Sequence, residues 1–550
     1  MNSLVALHRD RRRSQRGSVL SGVLIILAFL AIIAGALLTE LSTNFLLSTA
    51  LVNRVTSEAT VDSGMELAIA QLQDTQTTPL FNGCPGTVAW PSNGLTALVT
   101  HAQCYPVIDA GSSRTLSPIA AGGQFLQDGI EASVGAAGVE YLNGDTKGNL
   151  FAFAPGSSSP AWEYQLGATT EVVGTPLAMP DVSAQPDGVS YVVPVTYGNG
   201  GPSGCTKYCV ALLSASGMAQ PSPVCIMSAV ASVGSQPAAG LAFPNLAYFG
   251  DGAGNLYAYS ATSAPQSGGC VKADQRSVAG DVPGAGAIVA GPFVLKATSG
   301  KAVDNVYVVV AAGSAGYLVH YTMSANSGGD LDFAMVAPPL PLPGVGVGAS
   351  LSRGTSQLAI SFSNGQVAVV QIHSNFSTTL VGPPLALGAT ISDGPVWSSA
   401  GTIGVAAGSA LYVLDANLNL LATYVAPSTI TTAPAADNGG DWFVGTSGGV
   451  LYTVQSVAGS AQMFQPISYP GAGSVTSAPI AMPCSTGICI YLASSDGNVY
   501  FAGLDARDAL MDSCVGTCAT GHFSLRVRVE VGDENSPSTV HVQSWSYYSP

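Results

Sequence analysis

From Val19 to Leu38 the chain reads VLSGVLIILAFLAIIAGALL, with no charged side chain. At ~1.5 Å rise per residue such a run spans the hydrocarbon core of a bilayer. Backbone amides in lipid must be satisfied internally, so the segment is expected to be helical. Arg9, Arg11, Arg12, Arg13 and Arg16 precede it, and no Lys or Arg follows until Arg54. That asymmetry keeps the N-terminus cytoplasmic and sends the rest outside. A secretory signal cut beyond the run is disfavoured, because the apolar stretch outruns the usual h-region of roughly 7–15 residues. An ordinary signal anchor is the plainer alternative.

The helical pattern continues past the membrane. Thr39 to Asp74 has no proline and one glycine, and Leu47, Leu51, Val55 and Ala59 recur at four-residue spacing before Met65, Ile69 and Leu72. Such a stripe predicts one long amphipathic helix.

The remainder has a different character. At 550 residues the chain exceeds one compact core, so an anchor and at least one large outer domain are expected. Charged residues are only 9%, and Gly 65 and Pro 34 punctuate short runs rich in valine, tyrosine and alanine. This is an all-β composition. Net charge is -15 despite the basic start, which argues against nucleic acid as a partner.

From about Gly122 one phrase recurs: a short apolar strand, a turn, then glycine and alternating apolar residues. GNLFAF at Gly148–Phe153 is matched by GNLYAY at Gly254–Tyr259 and GNVYFA at Gly497–Ala502. Looser copies begin at Gly316, Gly365, Ser409 and Gly449, with a degenerate one around Lys207 to Leu212. A period of ~40–50 residues marks a propeller or solenoid. About eight such units fit a β-propeller, and stacked unclosed solenoid turns are the alternative. The turn glycine supplies φ > 0, and every second side chain packs on the next blade. The last segment breaks the repeat: HFSLRVRVEV (His522–Val531) alternates, a turn follows at Gly532 to Pro537, and Thr539 to Tyr548 makes a second strand of a half-buried hairpin. The plainer reading is that these strands close the last blade.

Ten cysteines fall in close pairs, Cys84 with Cys104, Cys205 with Cys209, Cys484 with Cys489 and Cys514 with Cys518, leaving Cys225 and Cys270. Outside the cytoplasm this predicts disulfides. A hairpin over residues 207–213 and 222–228 would instead set Cys209 opposite Cys225 and leave Cys205 for Cys270. Zinc is the competing reading, but no Cys-x-x-Cys pair occurs and no histidine neighbours a cysteine.

Nothing in the chain requires an enzyme. His8, His101, His320, His373, His522 and His541 are scattered, and no His-Glu-x-x-His, Gly-x-Ser-x-Gly, phosphate-loop or calcium-loop pattern occurs. His320 and His373 fall in expected strands. Asp145, Asp251 and Asp496 precede blade turns, where aspartate caps the turn for structural reasons, although each could also be a ligand.

The basic leader, Gly17 and then uninterrupted apolar sequence resemble the processing site of type IV prepilins, which a dedicated prepilin peptidase cuts after glycine. The resemblance implies cleavage between Gly17 and Ser18. The usual pilin carries glutamate at mature position five, where this chain has Gly22. PilX-type minor pilins and GspK-type subunits of type II secretion share that departure and are placed at or near the filament tip. EATVDSGMELAIAQLQ (Glu58–Gln73) resembles the second half of the PilX-type helix, and the final hairpin resembles the closing strands of a pilin head. The repeats are similar to quinoprotein-like (PQQ-type) blades, whose docking tryptophan only Trp162 matches well. The quinone of that family's dehydrogenases lies under a vicinal Cys-Cys disulfide, which this chain lacks, so no cofactor is implied.

The expected fold is therefore mostly β, with a long N-terminal α-helix whose first half is transmembrane, a small pilin-like head and a large, about eight-bladed β-propeller. The expected division is 1–17 leader, 18–74 helix, 75–121 head segment, 122–513 propeller and 514–550 hairpin completing the head. The expected function is a non-enzymatic, tip-associated minor pilin that primes filament assembly and displays the propeller for adhesion or surface recognition. Its expected partners are other pilins, prepilin peptidase, the inner membrane before assembly and a surface protein or glycan. The alternatives are a membrane-anchored quinoprotein-like enzyme and a non-enzymatic envelope scaffold.

Overall fold

The computed structural model describes residues 3–73, 88–92, 95–108, 114–116, 130–133, 139–154, 160–165, 172–173, 175–179, 191–196, 208–213, 219–228, 236–260, 271–282, 284–297, 302–327, 329–352, 354–391, 393–436, 441–457, 460–469, 473–484, 487–515, 524–531 and 540–548. One helix, α1 (Ser3–Gln73), runs unbroken through the apolar stretch and on to the end of the amphipathic one. Its exposed large side chains, from Val23 to Val55, give way to Val61, Met65 and Ala68, each wholly buried. The change of face follows the sequence: an all-round apolar run stands free, and a stripe at helical spacing finds a sheet.

Around the helix-proximal end lies an eight-stranded sheet built from β1 (Val88–Ser92), β2 (Leu95–Ile108), β3 (Arg114–Leu116), β4 (Ile480–Cys484), β5 (Gly487–Ala493), β6 (Val499–Val515), β7 (Ser524–Val531) and β8 (Val540–Tyr548). Strand β6 serves two bodies. Val499 to Leu504 pairs with β5, and Val499 to Phe501 also pairs with β3. From Leu504 to Val515 it pairs with β2, and from Arg507 to Cys514 with β7, which continues to β8. Everything from 130 to 484 is thus inserted between strands that pair with one another.

The insert forms seven separate sheets of four or five antiparallel strands, spanning 130–165, 172–228, 238–277, 288–342, 346–386, 396–425 and 435–468. Their innermost strands touch in chain order, and β4 touches both the seventh and the first. The result is a closed β-propeller. Seven separate blades stand where about eight are expected, and the reason lies in β6: the last copy of the repeat phrase does not end a blade but runs on into the eight-stranded sheet. Those inner strands, β4, β5 and the start of β6 with β3 outermost, fill the gap between the seventh and first blades. The ring closes by pairing an N-terminal strand with a C-terminal one.

All the copies of the phrase fall on the third strand from the centre of their sheets. Gly148, Gly254, Gly365, Gly449 and Gly497 have φ between 68° and 83°, as their turns require. Each blade contact is a sandwich of alternating side chains. Tyr141 of the first blade stacks on Tyr491 of β5 with centroids 4.8 Å apart, and the Tyr491 hydroxyl donates to the Ala154 carbonyl at 3.1 Å.

The strands expected to form a small pilin-like head share one core with the propeller. One apolar cluster joins Val61, Met65 and Ala68 of α1 to Val99, Leu525 and Val527, and continues through Ile490 and Tyr500 to Phe443 and Ile467 of the seventh blade. The expected division at 513/514 falls inside β6, and β3 of the expected head segment closes the ring.

Close approach of α1 to the sheet depends on Gly64, where a Cβ would lie 2.8 Å from the Ala97 Cβ. Gly64→Leu is expected to lose ~1–3 kcal/mol of stability through overpacking. Gly22→Ala, with nothing within 4 Å of the added carbon, is the neutral control. Denaturant unfolding of the detergent-solubilised full chain checks both, and equal midpoints would contradict the packing.

Candidate functional site

Two features offer themselves for function: the bare part of α1 and the channel of the ring. Ser21–Ala70 is long and apolar enough to cross a membrane, with mean hydropathy 2.8 in its most apolar window. Several hydroxyls of this span are satisfied within the helix. Thr39 donates to the Gly35 carbonyl at 2.8 Å, Thr43 to Thr39 at 2.8 Å, Thr49 to Phe45 at 2.8 Å and Thr56 to Val52 at 2.8 Å. Back-bonding of this kind lets a segment with polar side chains enter apolar surroundings without leaving a hydroxyl unpaired. Arg54 and Glu58 neutralise one another at 2.9 Å. Gly17 and Ser18 lie within the span of α1, and the surroundings of that junction lie outside the described residues.

Where α1 meets the sheet it is tied by polarity as well as by packing. The buried Ser513 hydroxyl donates to the Val61 carbonyl at 2.9 Å. Cys514, next to Ser513, and Cys489 on β5 are both buried and disulfide-bonded. Cys104 lies on β2 opposite Ala509, and Cys484 lies at the β4 end of a hairpin opposite Gly487. Cys84, Cys205, Cys270 and Cys518 lie outside the described residues, and with them the pairings. The expected juxtaposition of Cys209 and Cys225 is corrected by the register, which sets Cys225 opposite Val210 and Cys209 opposite Ile226. The pairing is regular from Cys209 to Ala211, so the two cysteines stand one residue out of register, and a one-residue offset exchanges faces.

At the centre of the ring a cavity of about 520 Å³ is walled by the inner strands of several blades. The inner strands share a feature that the repeat phrase does not reveal: Pro176, Pro237, Pro395, Pro434 and Pro479 each stand directly before one. An inner strand pairs on one side only, so proline removes no ladder hydrogen bond there. Two residues before each proline stand Gly174, Ser235, Asp393, Thr432 and Ser477. Asp393 is half-buried and lines the cavity. Its Oδ1 accepts from the Gly394 amide at 2.6 Å and its Oδ2 from the Ala433 amide at 2.8 Å, across to the seventh blade. Burial pushes its pKa above the usual carboxylate value, against the pull of those two amides. The signal in the sequence is the x-Pro that recurs ahead of five of the repeat copies, with a charge in one of the five.

The other titratable candidates serve the fold. Asp145 Oδ1 accepts from the amides of Lys147 and Asn149 at 2.9 and 2.8 Å, and Oδ2 from Asn149 Nδ2 at 2.9 Å. Asp251 makes the same pattern with Ala253 and Asn255. Asp496 accepts from the Asn498 amide at 3.0 Å and from the Tyr500 hydroxyl, whose pKa is pushed up to about 12 by burial and by this carboxylate. These are turn caps, each closing a blade turn. Among the described residues no group of three or more His, Cys, Asp or Glu could hold a metal ion. His373 is exposed, with Nε2 2.9 Å from the Thr379 hydroxyl.

His320 is 6% exposed, stacks on Tyr307 with centroids 4.3 Å apart and donates from Nε2 to Asn305 Oδ1 at 3.0 Å. Burial lowers its pKa from 6.5 to about 4. The unfolded chain therefore takes up this proton at a higher pH than the folded one. The stability tied to neutral His320 is complete above the unfolded value and is lost as pH falls through about 4. It amounts to roughly 3 kcal/mol. His320→Gln should flatten the acid side of the stability curve between these limits. Urea unfolding of both proteins across that range checks it, and parallel curves would contradict the burial.

No family model matches the chain, and no curated protein matches its sequence. The fold is similar to the crystal structure of Sqt1 from Saccharomyces cerevisiae, with a TM-score of 0.50 and 14% identity over 71% of this chain and 98% of that one. A structure of the Dos1 propeller has a TM-score of 0.47 and 10% identity over 71% of this chain and 95% of that one. The likeness to Sqt1, at 14% identity, speaks for the propeller fold alone.

Proposed function

We propose that this chain is a minor, pilin-like subunit of a type IV pilus, inserted by α1 at or near the filament tip, with the propeller as a displayed surface for adhesion or recognition. The observation that carries the reading is the pairing of two properties in one helix. Its first part presents Val23 to Val55 to the outside, and its last turns are locked into a core shared with the propeller. Exposed apolar surface of that extent needs a membrane or other apolar helices around it. Back-bonded threonines extend the part that can be so covered beyond the length of a bilayer.

In this reading prepilin peptidase removes residues 1–17 and the chain waits as a single-pass inner-membrane protein. It then joins other pilins through α1 and reaches the cell surface. The strands β1, β2, β7 and β8 with the end of β6 act as the pilin head, and the propeller is its insert. The ligand is a surface protein or glycan. A non-catalytic role is supported by the turn aspartates and His320, whose hydrogen bonds are spent on the fold.

N-terminal sequencing of the mature protein together with shearing of surface filaments tests this. A chain that begins at Ser18 and co-purifies with filaments is the expected result. A chain that keeps its arginine-rich start and stays in the membrane fraction would overturn it and leave an anchored envelope scaffold.

A further inference from the structure

We infer that the propeller channel binds a primary ammonium group carried on an apolar stem, with Asp393 as its charge partner. The first ground is the lining. Among the described residues Asp393 is the only ionisable side chain on a cavity of about 520 Å³ otherwise walled by Val289, Phe293, Leu351, Val396 and similar apolar groups, with Ser350 and Gln236 adding hydrogen-bonding capacity. A concavity walled by apolar side chains, with backbone polar groups exposed between them and one perturbed carboxylate, has the make-up of a ligand site.

The second ground is the internal repeat. The position two residues before the inner-strand proline is serine, threonine or glycine in four other places and aspartate only here. A hydroxyl is enough to hold a backbone amide at this position, as the Ser477 Oγ does in accepting from the Ala493 amide at 2.8 Å. The Asp393 carboxylate ties two amides, those of Gly394 and Ala433, where Ser477 ties one, and it brings a full negative charge whose partial removal from water costs free energy that a cation would offset. Each carboxylate oxygen has further acceptor capacity beyond the one amide it holds.

The third ground is geometry. A Cβ on Gly348 would lie 2.3 Å from the Gly394 Cα, so the inner strands of the fifth and sixth blades touch beside the carboxylate. The Ser361 hydroxyl donates to the Asp393 carbonyl at 2.9 Å and so anchors the same residue from behind. The carboxylate is held in place before any ligand arrives, which lowers the ordering cost of binding.

This inference deepens the recognition role proposed above and rests on it only for its purpose. Its test reads binding by the purified full chain in detergent, so its failure would leave filament incorporation to be judged separately. Calorimetric titration would compare cadaverine, for a free amine, with acetyl-Gly-Lys-Gly-amide, for a lysine side chain presented by a protein, and with pentanediol as the neutral counterpart. At least one amine probe is expected to bind about tenfold or more tighter than the diol, equivalent to ~1.4 kcal/mol. The tighter of the two amines identifies the source. Asp393→Ser, the residue found at the matching place before β4, should keep the unfolding midpoint near that of the parent and erase the preference. Equal binding of amines and diol by the parent chain would overturn the inference, as would a preference that survives in Asp393→Ser.

Discussion

The architecture depends on one strand that serves two bodies of the molecule at once. Val499 to Leu504 completes the ring of blades, and the same strand, without a break, carries Leu504 to Val515 into the sheet that backs α1. A linker would let the propeller swing on its stalk. A continuous strand with neighbours on both sides along most of its length does not, because bending it would break ladder hydrogen bonds in the ring and in the sheet together. The apolar cluster that runs from Val61 of the helix to Phe443 of the seventh blade adds packing to the covalent connection. Whatever holds the helix therefore holds the propeller at a set angle.

Within the ring, valine, alanine and tyrosine interfaces supply most of the burial, and a few charged groups set which blade meets which. Glu140 of the first blade accepts from Trp162 Nε1 at 3.2 Å and from the Tyr191 hydroxyl of the second blade at 3.0 Å. Asp304 accepts from the amides of Leu241 and Ala242 at 3.0 and 2.6 Å and from the Tyr248 hydroxyl at 2.8 Å, joining the third and fourth blades. A buried carboxylate is costly unless its partners are in place, so a slipped interface is penalised more heavily than apolar contact alone would manage. Burial and these carboxylates push the Tyr191 and Tyr248 hydroxyls well above the ordinary tyrosine value, which keeps both as donors.

Much of this can be read from residues. The apolar run and the stripe after it foretell α1, because helical periodicity is local. The glycine phrase foretells the blades, because its turns need φ > 0 and its alternation needs two packed faces. The hairpin of β7 and β8 lies within a residue or two of its expected limits. What escapes is set by long-range pairing. Nothing between Val499 and Val515 announces that a strand changes partners midway, so in sequence the last repeat copy counts as one more blade. The one-residue offset that parts Cys209 from Cys225 belongs to the register of two strands and leaves no mark on composition. Asp393 reads in sequence like any turn aspartate, and only its place among the inner strands sets it apart.

The claim on which the rest stands is that stalk, sheet and ring form one cooperative unit, and amide hydrogen exchange along β6 tests it most directly. The full chain in detergent should show the amides of Val499 to Leu504 and those of Arg507 to Cys514 opening together, with one free energy shared with the buried end of α1. Two separate opening energies, with Arg507 to Cys514 exchanging while the ring stays protected, would contradict it.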